Sequence, residues 1–437
     1  MGVTKLLLPT GSHPTLRDAP PADHVRRLLP LPGEAGPVGL AEHLLQHGPL
    51  PRVGRSASQR AATVEEVSRA GLTGRGGAGF PTAKKLAAVM AATGRPFVVA
   101  NGTEGEPASG KDRFLLARAP HLVLDGAAIA AAVVGATEAV IVSHHAVREV
   151  VAEAIAERRR SGVDEVNFRV VSAANRFVGG EASAVVHWVE QGIPAPTRTP
   201  PRLAERGLSG RPTLVQNVET LAHLALIMRH GAAWYRQAGT EEEPGTMLVT
   251  LLGALQRPGV HEVELGTPIA AVLGLGGGAS ARLQALLIGG YFGTWVAADT
   301  AMPLPFSAAG LAPLGAGAGA GVIAALPVDA CGLVETARVA RYLADESAGQ
   351  CGPCVFGLPA IAGALERLAV GAGYDDELLR RWLGQVDGRG ACRHPDGVVR
   401  FVDSALRAFA AEISEHARGW CCGTGRRRVL PTPGRGR

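Results

Sequence analysis

Two groups of residues in this chain have types and spacings that could do chemistry, and the first is a glycine-rich loop. Residues 74–79 read Gly-Arg-Gly-Gly-Ala-Gly and fit the spacing G-x-G-x-x-G. Glycines at this spacing let backbone N–H groups approach a phosphate that side chains would exclude. The residues before the loop have a helical pattern, so the strand that precedes an ordinary dinucleotide-binding loop is missing. The spacing alone fits a phosphate cradle and a plain turn equally well.

Charged and polar residues around this loop indicate what it would bind. Arg75 and Lys85 add positive charge, and Thr82 could cap a helix that begins there, so the three together would complement an anion. The alternative is a capped helix with ordinary surface cations. A second loop, residues 101–107, follows a strand of mostly β-branched residues. Open α/β sheets place ligands at the carboxyl ends of their strands. A carboxylate in this loop could bond sugar hydroxyls, although a single loop glutamate is more often only a surface charge.

The second group is a set of cysteines. All six cysteines follow residue 330, which in a chain without a signal peptide favours metal or redox work over structural disulfides. Cys351 and Cys354 form a C-x-x-C pair, and Cys392 lies about 40 residues later, a pattern used for iron–sulfur and zinc sites. The pair could also be a redox dithiol, but its surroundings are unlike thioredoxin, so we favour a metal. Cys331 is interpreted as a buried apolar residue.

Composition and charge exclude other classes of function. The net charge is +5, but an arginine-rich end supplies most of it. Since no basic stripe with interleaved aromatics is present, nucleic acid is not an expected partner. The apolar run 122–142 is interrupted by Asp125 and Glu138 and is predicted to be a buried helix and strand, not a membrane span. We expect a cytoplasmic protein, either free or peripheral to a membrane complex.

The order of elements predicts an α/β fold with several units. Residues 1–55 are a proline-rich, irregular lead-in with one short helix. From 56 to 240, β-branched strands alternate with helices, which predicts a domain with a mostly parallel sheet. Residues 245–327 contain short strands between glycine and proline turns, which predicts a small α+β module. Helical periodicity over 331–420 predicts a bundle, and 421–437 a basic, disordered tail.

These motifs, in this order, resemble those of the flavoprotein subunit of respiratory complex I. That family is shared with the flavin subunits of NAD-linked hydrogenases and formate dehydrogenases. The resemblance covers roughly residues 60 to 420. The motifs that carry it are residues 71–82, 101–113, the pair Gly180-Glu181, 207–221 and 346–354. Several long motifs in one order make the resemblance specific.

The resemblance implies a Rossmann-like FMN- and NADH-binding domain, a β-grasp module of the SLBB type and a helical bundle that carries a [4Fe–4S] cluster. In that family NADH gives a hydride to FMN, which passes electrons singly to the cluster and on to a ferredoxin-like or other redox subunit. Cluster ligands implied here are Cys351, Cys354 and Cys392. The implied cofactor-binding residues are Gly74, Arg75, Gly76, Gly77, Gly79, Lys85, Asn101, Glu104, Glu106, Gly180, Glu181, Asn217 and Thr220.

Several positions of the nucleotide site depart from the family. Thr103 stands where the family has an Asp that bonds the flavin, Ala182 replaces a Glu and Gln216 replaces an Asn. Thr199 and Arg202 occupy positions where a Lys and a Phe help to seat NADH. Each lost contact could cost about 1 to 3 kcal/mol of binding.

The cluster motif departs as well, because Ala348 replaces the first of three closely spaced cysteines. The cluster could be [3Fe–4S], or [4Fe–4S] with a labile iron bound by water, Glu346 or a partner's ligand. The leading hypothesis is therefore flavin- and cluster-mediated electron transfer from NADH. The alternative is a degenerate homologue that acts as a cluster-only electron carrier or as a non-catalytic binding module.

Overall fold

A computed structural model describes residues 26–29, 36–197, 200–419 and 428–433 of the chain. Thr199, Cys421, Cys422 and most of the arginine-rich end lie outside these ranges, as does most of the predicted lead-in. The elements of the first part are helices α1 (Leu40–His47), α2 (Ala57–Ala70) and α3 (Thr82–Met90), strand β1 (Phe97–Gly102), α4 (Lys111–Arg118), α5 (Pro120–Val134), β2 (Glu138–Ser143), α6 (Arg148–Ser161), β3 (Asn167–Ser172), α7 (Ala182–Gln191), β4 (Thr213–Asn217), α8 (Val218–His230) and α9 (Ala232–Tyr235).

The four strands of this part form one parallel sheet in the order β3-β2-β1-β4. Strands β1 and β2 are runs of valine, isoleucine and alanine that are buried throughout their centres, as is typical of a parallel sheet covered on both faces. In parallel strands the carboxyl ends share one edge, and here Asn101 on β1 pairs in register with Asn217 on β4. The predicted α/β domain with a parallel sheet is confirmed.

Helices α5 and α8 pack against each other beneath this sheet. Helix α5 is buried on nearly every side, which explains why it is apolar all round. The two backbones nearly touch at Gly126, where a Cβ would lie 1.8 Å from the Leu221 carbonyl oxygen. This contact sets the position of α8, whose first turn reaches the carboxyl edge of the sheet. Among the described residues no single helix is long and apolar enough to cross a membrane; α4 and α5 meet that test only together, bent by 98°.

The second part of the chain is a mixed five-stranded sheet in the order β6-β5-β9-β7-β8. Its first and last strands in the sequence, β5 and β9, are parallel neighbours, and the other pairs are antiparallel, which agrees with the expected β-grasp module. Its elements are β5 (Thr246–Gly253), β6 (Gly259–Glu264), α10 (Ile269–Leu275), β7 (Leu283–Ile288), β8 (Thr294–Ala297), α11 (Ala298–Ala301), α12 (Ala308–Leu311) and β9 (Val322–Pro327).

The last part is a helical bundle, as the helical periodicity over 331–420 predicts. Its helices are α13 (Gly332–Asp345), α14 (Leu358–Ala369), α15 (Asp376–Val386), α16 (His394–Ala408) and α17 (Ala410–Ala417), with a π-helical turn Pro353–Gly357 before α14. Phe409 separates α16 from α17, so two helices form the end of the bundle.

The predicted disordered tail is wrong for residues 428–433. Leu430 is buried, and its N–H donates to Glu335 Oε2 over 2.8 Å. The Leu430 carbonyl accepts from Arg338 Nη2, and Tyr291 donates to the carbonyl of Pro431. The buried Leu430 side chain and the hydrogen bonds between the backbone of this segment and side chains on α13 hold the segment in place. Its composition alone predicts a solvated end.

The close approach of α5 and α8 gives a test of how the sheet edge is positioned. Gly126→Ala should lower the stability of the protein by about 3 kcal/mol, because a methyl group cannot fit against the Leu221 carbonyl. The matched control is Gly274→Ala in α10, where nothing lies within 4 Å of the new Cβ, so stability should stay or rise by up to about 1 kcal/mol. Thermal melts of both variants measure the difference, and equal melting temperatures would contradict the packing.

Candidate functional site

The glycine-rich loop connects α2 to α3 at the carboxyl edge of the parallel sheet. It is closed at its base by Gly74 N–H donating to the Phe80 carbonyl over 2.9 Å. Gly77 and Gly79 have φ angles of +107° and +59°, a region that favours glycine. The element directly before the loop is helix α2 and not a strand, as the sequence indicated. Within the described residues, the amides of Gly76 and Gly77 have no hydrogen-bond partner, so both can serve an anion.

The side chain of Arg75 does not point to a ligand, and its expected role as a direct binding group is corrected. The residue is buried, and its guanidinium donates to Thr73 Oγ1, Tyr235 Oη and the carbonyls of Pro244 and Thr246. A guanidinium with these partners holds the loop against the rest of the protein. Most of the hydrogen-bond partners of Arg75 belong to a chain segment about 160 residues away in sequence.

Thr220, another predicted cofactor residue, acts on the loop rather than facing outward. It is fully buried in the first turn of α8, and its Oγ1 accepts the backbone N–H of Arg75 over 2.8 Å. This bond fixes the start of the glycine loop relative to α8. The side chain therefore positions the cradle, and it is not itself exposed to a ligand.

Two asparagines and a glycine carbonyl join the strand ends beside the loop. Asn101 Nδ2 donates to the Gly180 carbonyl over 3.0 Å, and Asn217 Nδ2 donates to the Asn101 carbonyl over 3.3 Å. A Cβ on Gly76 would lie 3.3 Å from Asn217 Cβ. The structure thus brings together four predicted site residues, Gly76, Asn101, Gly180 and Asn217, which come from four separate segments.

A buried ionic group below the asparagines was missed by the sequence analysis. Lys111 Nζ lies 2.6 Å from Asp112 Oδ1 and 2.7 Å from Glu219 Oε2, with all three side chains almost fully buried. Asp112 Oδ2 in turn accepts from Asn217 Nδ2 over 2.7 Å. The adjacent residues Lys111 and Asp112 were the available signal in the sequence, since charged residues are rarely buried unless paired.

Glu104 is not available to a ligand, which corrects its assignment as a cofactor residue. Its carboxylate accepts the backbone N–H groups of Asp112 and Arg113 and the hydroxyl of Ser109. Burial raises the pKa of Glu104, against the opposing effect of Arg113. The Glu104 side chain thus caps the N-terminus of α4 from the preceding loop. The backbone of Glu104 has a φ of 50°, as part of this tight loop.

Glu106 lies where the parallel-sheet domain meets the β-grasp module. Its Oε2 accepts the Tyr291 N–H over 2.7 Å, and its Oε1 accepts the Ala108 N–H over 3.1 Å. Burial raises the pKa of Glu106 to about 7. A Cβ on Gly290 would lie 2.7 Å from Oε2, so glycine is needed for this approach. The carboxyl changes charge near neutral pH.

Lys85 and Thr82 lie at the start of α3, directly after the glycine loop. Lys85 Nζ donates to the Val215 carbonyl over 3.2 Å, and burial lowers the pKa of this ammonium. Two further protons of Nζ can serve an anion. Thr82 does not cap the helix as predicted: Pro81 is the N-cap residue, and Thr82 Oγ1 accepts from Gln216 Nε2 over 3.2 Å.

Glu181 caps α7, with its carboxylate accepting the N–H groups of Ser183 and Ala184. Ala182, which replaces a family glutamate, is the first residue of that helix. Arg202 is exposed, and its N–H donates to Glu205 Oε2. None of these side chains gives the site an aromatic face. Thr199 lies outside the described residues.

The polar groups left without partners fit a phosphate and a polar ring system. Besides the amides of Gly76 and Gly77, Thr103 Oγ1 is buried without a hydrogen bond within the described residues. Buried hydroxyls are normally satisfied, so an orphan beside a candidate site is consistent with a partner from outside the chain. Thr103 lies in the loop after β1, next to Glu104, and its N–H donates to Asn101 Oδ1. A flavin nucleotide offers both the phosphate and the ring acceptors that such groups require.

The three predicted metal-binding cysteines lie together at the start of the helical bundle. Cys351 and Cys354 flank Pro353 at the π-helical turn, and Cys392 lies between α15 and α16. The pKa of the Cys354 thiol is raised to about 12, mainly because the thiol is buried and secondly because Cys351 and Cys392 lie near it. Gly357, where a Cβ would lie 2.3 Å from a Val386 methyl group, lets α15 approach the turn.

No three His, Cys, Asp or Glu side chains in the described ranges converge closely enough to hold a single metal ion. In an iron–sulfur cluster each thiolate binds a different iron. The metal role of Cys351, Cys354 and Cys392 stays a prediction from the sequence. Cys331 is separate: it is buried as predicted, but it also caps α13 and contacts His416 Nε2 at 3.5 Å.

Comparison with known proteins places both sites in one family. Residues 67–226 match the Nuo51 FMN-binding domain, and residues 335–416 match the NADH-ubiquinone oxidoreductase-F iron–sulfur binding region. The second F-type subunit of NADH-quinone oxidoreductase from Rhizobium meliloti is 31% identical over 371 residues, which cover 81% of this chain and 88% of that protein. The corresponding protein of Streptomyces coelicolor is 31% identical over 374 residues, with 82% and 83% covered.

A solved structure agrees with this. The NAD+-reducing [NiFe]-hydrogenase in its air-oxidised state superposes with a TM-score of 0.78 at 29% identity, covering 87% of this chain and 67% of that one. The fold and the two sites are those of an oxidoreductase that carries FMN and an iron–sulfur cluster. The chain belongs to the NADH-quinone oxidoreductase-F family.

The hydrogen bond from the Arg75 N–H to Thr220 Oγ1 positions the glycine loop, so its loss should weaken FMN binding. Thr220→Val leaves a buried N–H unsatisfied, which costs about 1 to 3 kcal/mol. The FMN dissociation constant should therefore rise about tenfold or more, measured by quenching of flavin fluorescence. Thr220→Ser keeps the acceptor and should bind FMN as the unmodified chain does. If Thr220→Val binds FMN as tightly as the unmodified chain does, Thr220 does not position the loop for FMN binding.

The position of Glu106 predicts a pH-dependent stability. Its pKa is about 7 in the folded protein and 4.5 in an unperturbed chain, so the folded state binds this proton more tightly. Stability due to this group is then greatest below pH 4.5 and falls as the pH rises towards 7. The melting temperature of the unmodified protein should therefore fall over this range relative to that of Glu106→Gln. If the difference in melting temperature between the two proteins does not change with pH, Glu106 does not have the raised pKa assigned to it.

Proposed function

We propose that this chain oxidises NADH through FMN bound at the glycine loop and passes the electrons through a cluster at Cys351, Cys354 and Cys392. The acceptor is a ferredoxin-like protein or another redox subunit. The observation that carries the proposal is the edge where the loop amides, two strand-end asparagines and the orphan hydroxyl of Thr103 meet. Those groups complement a flavin nucleotide, in a chain whose relatives are NADH-quinone oxidoreductase subunits.

The chain's backbone and one ammonium would hold the phosphate of FMN. The free amides of Gly76 and Gly77 would donate to it, and the N-terminal end of α3 would add the positive end of a helix dipole. Lys85 supplies a cation whose burial disfavours its charged form until an anion is present. Arg75 contributes by holding the loop, since its own donors are already occupied.

Side chains whose own positions are fixed would orient the flavin ring. Asn101 and Asn217 are locked by Gly180 and Asp112, so their amides lose little freedom when a ligand binds. Thr103 offers a buried hydroxyl. When bound, FMN accepts a hydride from the nicotinamide and releases electrons one at a time.

Glu106 supplies the site's titratable group. Its carboxyl is raised to a pKa of about 7 by burial, so it can hold a proton or accept a ribose hydroxyl under ordinary conditions. Because Oε2 also accepts from Tyr291, its state of charge is felt by both modules that enclose the site. We assign it contact with the nucleotide.

The cluster site lies at the surface, as transfer to a separate protein requires. Cys351 and Cys392 are only half-buried, and Phe356, two residues after Cys354, is 76% exposed. Phe356 adjoins Val355, which is 44% exposed, and contiguous exposed apolar side chains mark contact surfaces. These features support an onward acceptor outside the chain.

The test is anaerobic reconstitution of the full chain with FMN, iron and sulfide, followed by absorbance and EPR spectra before and after NADH. NADH should bleach the flavin absorbance and produce the EPR signal of a reduced cluster. Cys354→Ser should keep the flavin bleaching and lose the cluster signal, since one thiolate is removed.

Three other results would contradict the proposal. A chain that binds neither flavin nor iron has no redox function. A cluster reduced by dithionite in a chain without FMN indicates a cluster-only carrier. Loading of both cofactors without any change upon NADH addition indicates a non-catalytic binding module.

A further inference from the structure

The cysteine motif lacks one ligand at a defined position. Iron–sulfur proteins use runs of cysteines spaced three apart, and residues 348, 351 and 354 of this chain follow that spacing with alanine at the first position. Ala348 is half-buried on the segment between α13 and the π-helical turn, with exposed Gly349 and Gln350 beside it. The run therefore supplies two thiolates, and Cys392 supplies the third.

The carboxylates near the missing thiolate in the described ranges are already bound by other groups of the chain. Glu346 Oε2 accepts from Arg176 Nε over 3.1 Å and from the Phe177 N–H over 3.0 Å. The carboxylates that act on Cys392 are likewise engaged: Glu181 caps α7, and Asp396 pairs with Arg393.

Cys331 cannot serve either. It is buried at the N-terminus of α13, and it contacts His416.

We propose that this chain holds a four-iron cluster by three thiolates, and that the fourth iron, beside Ala348, takes water or a small exogenous thiol. The proposal rests on the cluster of the proposed function but not on NADH oxidation. A one-electron oxidant such as ferricyanide then converts [4Fe–4S]2+ to [3Fe–4S]+, releasing one Fe2+ and one electron. The three Cys–Fe bonds remain, and only the iron without a protein ligand leaves.

The experiment uses the reconstituted full chain under anaerobic conditions, titrated with ferricyanide. The unmodified protein should release about one Fe2+ per cluster to a chelator and gain the EPR signal of an oxidised three-iron cluster. A small thiol such as 2-mercaptoethanol should slow this loss. Ala348→Cys should retain its iron and show no three-iron signal, with or without the thiol.

The control variant Ala372→Cys adds a thiol beyond the opposite end of α14 and should lose iron as the unmodified chain does. Cys421→Ser with Cys422→Ser tests the two cysteines outside the described residues and should also change nothing. Retention of all four irons by the unmodified chain would overturn the inference, while leaving the cluster and NADH reduction intact. Absence of iron from both the unmodified chain and Ala348→Cys would overturn the proposed function as well.

Discussion

The candidate flavin site depends on one buried ammonium. Lys111 lies between the carboxylates of Asp112 and Glu219, with none of the three exposed to solvent. Although burial lowers it, the two carboxylates raise the pKa of Lys111 above its ordinary value, so the charge persists inside the protein. Removing one member of such a group leaves an uncompensated charge, which is strongly unfavourable. The network can therefore exist only when all of its parts are in place.

The same network joins the two modules that enclose the site. Asp112 fixes the Asn217 amide at the sheet edge, while Glu219 Oε1 accepts the Leu248 N–H of β5 over 2.7 Å. Gly110 N–H donates to Thr250 Oγ1 on the same strand. A rigid β-grasp module is thereby held against the loop after β1, with Glu106 at the contact. The nucleotide edge and the module position each other.

The departures from the family leave this framework unchanged. Thr103 and Gln216 keep polar side chains in buried positions, and each has an atom without a partner in the described part of the chain. Neither residue belongs to the network of Lys111, Asp112 and Glu219, so the buried charges and these substituted positions are separate.

Local sequence determined what depends on neighbours in the chain. Glycines at 77 and 79 were readable because their backbone angles are a local property, and the C-x-x-C pair because both thiols share one turn. The alternation of strands and helices gave the parallel sheet, since burial on both faces requires apolar runs. Most other strands and helices were recognised, although α4, α7, α8, α9, α11, α12, β4 and β8 were not.

Tertiary structure decided where charged side chains point. Arg75 and Glu104 were expected to face a ligand, but Tyr235 and the N-terminus of α4 engage them instead. Residues 428–433 were expected to be solvated, but α13 fixes them. The destination of a long polar side chain is set by the partners that burial forces it to find, and those partners are distant in sequence.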